Sequence, residues 1–144
     1  MNEVKARIWV VEDNPSDVIL LKHALKTHGV AADLDVIQDG KSAIRRLTEL
    51  AAGSGPRPDL LILDINLPRH NGTEILARIA ANRAFSGLPV VVMTSSDSPA
   101  EHARAHGLGA DLIRKPVDLD GFLAIGGALR NLLTRNQAAS SPEV

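Results

Sequence analysis

The chain has 144 residues, the size of one ordinary domain and enough to bury about two-thirds of its unfolded surface. Apolar residues are 44% and charged residues 23%, and a net charge of −1 shows neither the basic excess of a nucleic-acid binder nor an acidic solvating tail. With no cysteine there are no disulfides, thiolate metal sites or cysteine nucleophiles, the apolar runs are too short to cross a membrane, and 2% aromatic content excludes a base-stacking surface.

Residues 7–11 (RIWVV) form a β-branched run that ends at Glu12-Asp13 and reads as a buried strand. Asn14-Pro15 is a helix start, Asn as cap and Pro at the first helical position, and the amphipathic pattern of Val18, Leu21 and Leu25 runs to Thr27 before Gly29 closes it. A second, shorter strand covers 34–37. Asp39-Gly40 turns into a helix with Ala43, Ile44, Leu47 and Leu50 on one face. Residues 53–58 (GSGPRP) are loop by composition. Residues 60–63 (LLIL) are the most apolar strand and run straight into Asp64. A loop from Asn66 to Asn71 leads to a helix opened by Gly72 and carrying Ile75, Leu76 and Ile79. Residues 89–93 are a fourth strand ending at Thr94, followed by a helix over 99–106. Residues 111–114 are a fifth strand ending at Lys115-Pro116, and a last helix covers 118–133. The expected domain is 1–134, with 135–144 a disordered polar tail.

Five strands alternating with five helices, the strands continuously apolar, imply a sheet covered on both faces. Right-handed crossovers then make it an α/β, doubly wound, five-stranded parallel sheet. In such a sheet ligands bind beyond the carboxyl ends of the strands. Those ends carry Glu12-Asp13, Asp64, Thr94 and Lys115. Two carboxylates ~4 Å apart repel by about 4 kcal/mol at an effective dielectric of ~20, so three together call for a neutralising cation. All-oxygen ligands suit a hard cation, Mg²⁺ before Ca²⁺. Lys115 adds positive charge and Thr94 a hydroxyl donor, which together describe a pocket for an oxyanion beside a carboxylate. Phosphoryl transfer to that carboxylate is the economical reading.

These residues resemble the receiver domain of two-component response regulators: Glu12-Asp13 after the first strand, Asp64 after the third, Thr94 after the fourth, and Lys115-Pro116 after the fifth. The resemblance covers about residues 6–133, with 30 residues from Asp64 to Thr94 and 21 from Thr94 to Lys115. It implies the flavodoxin-like (βα)5 fold with strand order 2-1-3-4-5. It implies that Asp64 accepts a phosphoryl group from a phosphohistidine on a sensor histidine kinase. By the same resemblance Asp13 and Asp64 bind Mg²⁺ directly, with the backbone carbonyl of Asn66, and Glu12 acts through a bound water. Lys115 would pair with Asp64 and then with the phosphoryl group, Thr94 would move to hydrogen-bond that group, and Pro116 would follow a cis peptide bond. The run DINLPRHNG (64–72) and the loop 53–58 look most like stand-alone receivers partnered with bacterial phytochrome-type or hybrid kinases. One departure stands out. Where receivers often carry Tyr or Phe, three residues before the lysine, this chain has Leu112, so the output surface must be rearranged by other means.

Other motifs read more blandly. Gly40-Lys41-Ser42 is a helix start rather than a phosphate-binding loop, because position 35 is Asp. Gly107 and Gly109 lack the third glycine of a dinucleotide fingerprint. His102 and His106 have a metal-pair spacing but no third ligand and read as a solvated helix face, and none of the five histidines, His23, His28 and His70 included, reads as a phosphohistidine. Trp9 is core filling. On the last helix, Leu119, Phe122, Leu123, Leu129 and Leu133 form a stripe facing the sheet. Ile125 and Leu132 widen its apolar arc, which makes Phe122, Ile125, Leu129 and Leu132 candidates for a homodimer or partner surface, with Gly126-Gly127 allowing close packing. The leading expectation is a cytoplasmic single-domain phosphoacceptor that signals by protein contact or onward phosphotransfer. It catalyses only its own phosphorylation and dephosphorylation, with no nucleic-acid or membrane partner. The alternatives are an aspartyl-nucleophile Mg²⁺ phosphatase, which Asn66 disfavours because it cannot protonate a leaving group, and a non-phosphorylated binding module.

Overall fold

A computed structural model describes residues 5–67 and 71–140; His70 and the end of the expected tail, 141–144, lie outside the described residues. The strands are β1 (Ala6–Val11), β2 (Ala32–Ile37), β3 (Leu60–Asp64), β4 (Val90–Thr94) and β5 (Asp111–Arg114). They form one sheet in the order β2-β1-β3-β4-β5, every pair parallel. The helices are α1 (Pro15–Thr27), α2 (Gly40–Ala51), α3 (Gly72–Ala80), α4 (Pro99–Gly107) and α5 (Leu119–Ser140). A 3-10 turn, Arg83–Phe85, precedes β4 and was too short to carry a sequence signal.

Alternate strand residues feed two cores. Ile8, Val10, Leu60, Ile62, Val91 and Met93 pack on α1 through Leu21 and Leu25 and on α5 through Phe122, Ile125, Leu129, Leu132 and Leu133. Trp9, Val11, Leu61, Leu63, Val90 and Val92 point to the other face, towards α2, α3 and α4. This period of two, apolar on both faces, is why the central strands read as continuous hydrophobic runs. Trp9 is core filling as expected, only 8% exposed, with the Arg46 guanidinium 4.6 Å from its ring centroid and paired with Asp35.

Four expectations need correction. Phe122, Ile125, Leu129 and Leu132 do not form an outward surface: all four are buried inside the chain. The wide apolar arc is consumed by two neighbours at once, the sheet and α1. Gly126 explains how α1 comes so close, since an added Cβ would overlap the Ala24 carbonyl oxygen and sit 2.6 Å from the His28 ring. Leu119, placed on the inward stripe from its spacing, is exposed. The Lys115–Pro116 bond is trans, because no cis peptide occurs among the described residues; X–Pro bonds favour trans by about 0.5–1 kcal/mol when nothing enforces the alternative. Helix α5 also continues past the expected end at Leu133 to Ser140, through Gln137, Ala138 and Ala139, residues of good helix propensity that lack only an apolar stripe.

Candidate acidic functional site

The parallel register brings the predicted residues together. Val11 pairs with Leu63, so Glu12 leaves β1 level with Asp64 at the end of β3. Asp64 pairs with Met93, which puts Thr94 one step beyond it on β4. The Lys115 backbone N–H donates to the Thr94 carbonyl at 2.8 Å and continues the β4–β5 ladder to the lysine. The site therefore sits where the strand order switches between β1 and β3, at the carboxyl edge of the sheet.

Glu12 and Asp64 are almost fully buried, at 4% and 5% exposure, and Asp13 is open to solvent. One carboxylate oxygen from each of Glu12, Asp13 and Asp64 lies within 4.8 Å of the others. Lys115 Nζ donates to Glu12 Oε1 at 2.8 Å, to Asp17 Oδ2 at 2.9 Å and to Asp64 Oδ2 at 3.3 Å. An ammonium has three protons, so these three carboxylates use its whole donor capacity. The Asn66 backbone N–H donates to Asp64 Oδ1 at 3.0 Å, and the Asn14 N–H to Glu12 Oε2 at 3.2 Å. Burial pushes the Glu12 carboxyl up to about 8, the adjoining Asp64 pushes the same way, and the Lys115 ammonium opposes both. Burial works to lower the Lys115 ammonium, but its hydrogen bonds to Glu12 and Asp17 and the Asp64 charge hold it above the usual lysine value.

Chemically, the all-oxygen, multiply anionic set beside a solvent-open Asp13 fits a hard divalent cation. Thr94 is wholly buried, and its hydroxyl donates to Glu101 Oε1 at 2.9 Å on α4. Leu112 is half-buried against the α2, α3 and α4 face of the core. His102 Nε2 lies 2.8 Å from the Ser96 carbonyl oxygen, which ties the side chain to the segment between β4 and α4. Two participants escaped the sequence reading. Asp17 lies four residues after Asp13, one turn into α1, where an acid already has a generic explanation in the helix dipole. Glu101 stands three residues after the cap Ser98, where it reads as half of a capping box.

No helix among the described residues is long and apolar enough to cross a membrane. Residues 8–125 match the response regulator receiver domain. Response regulator Rcp1 of Synechocystis sp. is 39% identical over 90 residues, 62% of this chain and 61% of that protein. The chain spans less than two-thirds of the length of the curated relatives it matches. The phosphorylated cyanobacterial phytochrome response regulator RcpA superposes with a TM-score of 0.80 at 28% identity, over 91% of this chain and 95% of that one. The Mn(2+)-bound form of Rcp1 gives 0.77 at 30% identity, over 88% and 92%. With its sheet order, its acidic edge and its lysine-bridged carboxylates in place, the chain belongs to the receiver domain family of response regulators.

Proposed function

We propose that Asp64 accepts a phosphoryl group from the phosphohistidine of a sensor histidine kinase, and that the chain works as a cytoplasmic signalling protein rather than as an enzyme acting on a separate substrate. The observation that carries this reading is the Lys115 ammonium 3.3 Å from the buried Asp64 carboxylate, with Glu12 and Asp13 beside it. A carboxylate oxygen of Asp64 attacks phosphorus, the P–N bond breaks, and its electron pair stays on the departing imidazole. Lys115 is placed to shift from the carboxylate to a phosphoryl oxygen. Thr94 supplies a hydroxyl donor from the neighbouring strand end.

In this reading Asp13 and Asp64 would hold Mg²⁺ directly with the Asn66 backbone carbonyl, and Glu12 would act through water. Bound there, the cation supplies charge neutralisation as the phosphoryl oxygens approach three carboxylates. Similarity to Rcp1 and RcpA supports a phytochrome-type kinase as the donor. The test is labelling by acetyl phosphate with Mg²⁺. Wild type takes up an acid-stable, base-labile phosphate and Asp64→Asn takes up none; label persisting in that variant refutes the assignment.

A further inference from the structure

We infer that Glu101 is a positioning residue for phosphorylation: it holds the single proton of the Thr94 hydroxyl and must release it before that hydroxyl can serve a phosphoryl group. The inference rests on the phosphoacceptor reading of Asp64.

A threonine hydroxyl has one proton and two lone pairs. In Thr94, a side chain with no solvent contact, the proton goes to Glu101 Oε1 at 2.9 Å. One lone pair accepts from the Ser96 N–H at 3.0 Å. With a single proton to give, the Thr94 hydroxyl donates either to Glu101 or to the phosphoryl oxygen.

Local geometry explains why Glu101 is available. Ser98 caps α4 by accepting from the Glu101 N–H at 3.3 Å. In a reciprocal capping box the Glu101 carboxylate would turn back to the Ser98 N–H. That N–H already donates to Ser96 Oγ at 3.1 Å, which leaves the carboxylate to reach β4. His102 lies 2.8 Å from the Ser96 carbonyl and ties down the same four-residue connection. The β4–α4 link is thus a closed ring of hydrogen bonds, and the Thr94 hydroxyl closes it.

A phosphoryl group brings nearly two negative charges to Asp64. It competes with Glu101 for the same proton and repels the carboxylate it displaces. Taking the proton opens the ring and frees the first turn of α4. This route to the surface does not pass through position 112, where Leu112 carries no aromatic hydroxyl.

The experiment titrates beryllofluoride with Mg²⁺ into wild type, Glu101→Ala, Glu101→Gln, and both Thr94→Val and the Thr94→Val/Glu101→Ala double variant. Glu101→Ala binds about tenfold tighter than wild type, which is about 1.4 kcal/mol. Glu101→Gln keeps an oxygen acceptor and stays within about threefold of wild type. In the Thr94→Val background, Glu101→Ala changes nothing. Amide hydrogen exchange without metal rises in Glu101→Ala over residues 96–102 and nowhere else. If Glu101→Ala does not fold, Glu101→Asp, one methylene too short to reach, carries the same expectations. Equal affinity for wild type and Glu101→Ala, or a gain that persists without the Thr94 hydroxyl, overturns the inference. A wild type that binds no beryllofluoride overturns instead the phosphoacceptor reading, and this inference with it.

Discussion

Replacing Lys115 by Met keeps most of the stem's apolar packing and removes only the ammonium. That group makes hydrogen bonds of 2.8, 2.9 and 3.3 Å to Glu12, Asp17 and Asp64, two of them nearly out of solvent. Deleting one partner of a buried ion pair costs about 3–5 kcal/mol when the other charge has no escape. Here there is an escape. The Glu12 carboxyl titrates at about 8 even beside the ammonium, so near neutrality it takes up a proton instead of remaining as a bare charge. The loss therefore depends on pH: about 3 kcal/mol at pH 8.5, where ionised Glu12 pairs with the ammonium in wild type while the variant keeps Glu12 protonated, and about 1 kcal/mol less at pH 6, where Glu12 is neutral in both. At roughly 3 °C per kcal/mol for a chain of this size, Tm falls by about 9 °C at the higher pH and about 6 °C at the lower. Differential scanning calorimetry in EDTA measures both. Added Mg²⁺ raises the Tm of Lys115→Met more than that of wild type, because a cation replaces the missing charge. A Tm difference that is absent, or the same at both pH values, would show that the three contacts do not neutralise the pocket.

Wild type follows from the same group. A carboxyl raised from 4.5 to about 8 on folding stabilises fully below the lower value, and that contribution is lost as pH climbs through the higher one. In EDTA the Tm should fall between pH 5 and 8, and Mg²⁺ should flatten the fall; a metal-free Tm that rises over this range contradicts the Glu12 environment. Gly72→Ala puts a Cβ 2.5 Å from the Ile65 Cα and 2.7 Å from the Asp64 carbonyl oxygen, backbone that cannot step aside. It should lower both Tm and Mg²⁺ affinity by isothermal titration calorimetry, and an unchanged affinity would mean that Asp64 is held elsewhere. Gly126→Ala gains about 1 kcal/mol of helix propensity but must push α1 off α5, an overpacking cost of about 1–3 kcal/mol. We expect a net loss in urea unfolding with Mg²⁺ affinity intact; a net gain would refute the close approach.

Much of the architecture was readable because the strands end abruptly. LLIL running into Asp64 needs only a period and a charge to be recognised, and every strand-end residue of the predicted set lies at the same edge. β2 was harder: its alternating exposure marks an edge strand, and its first two residues, Ala32 and Asp33, carry no apolar run to announce them. The α5 misreading has a different cause. Spacing reveals how wide an apolar arc is but not how many neighbours share it, and only the glycine-mediated contact with α1 shows that the arc is filled. Asp17 and Glu101 were hidden for a related reason. Each has a sufficient local explanation as an acid in a first helical turn, and each finds its hydrogen-bond partner on another element, Lys115 beyond β5 and Thr94 on β4. The peptide isomer before Pro116 has no local sequence signature in either direction.

The position of Trp9 decides what light can report about this protein. It is the sole indole, packed on the α2, α3 and α4 side of the sheet beneath the Arg46 guanidinium. Its emission will follow loss of the hydrophobic interior and any loosening of Arg46 from Asp35, while events among the carboxylates beyond the strand ends leave it nearly silent. Intrinsic fluorescence is thus a clean thermometer of unfolding, and ion or phosphate occupancy must be read by heat, mass or nuclear resonance.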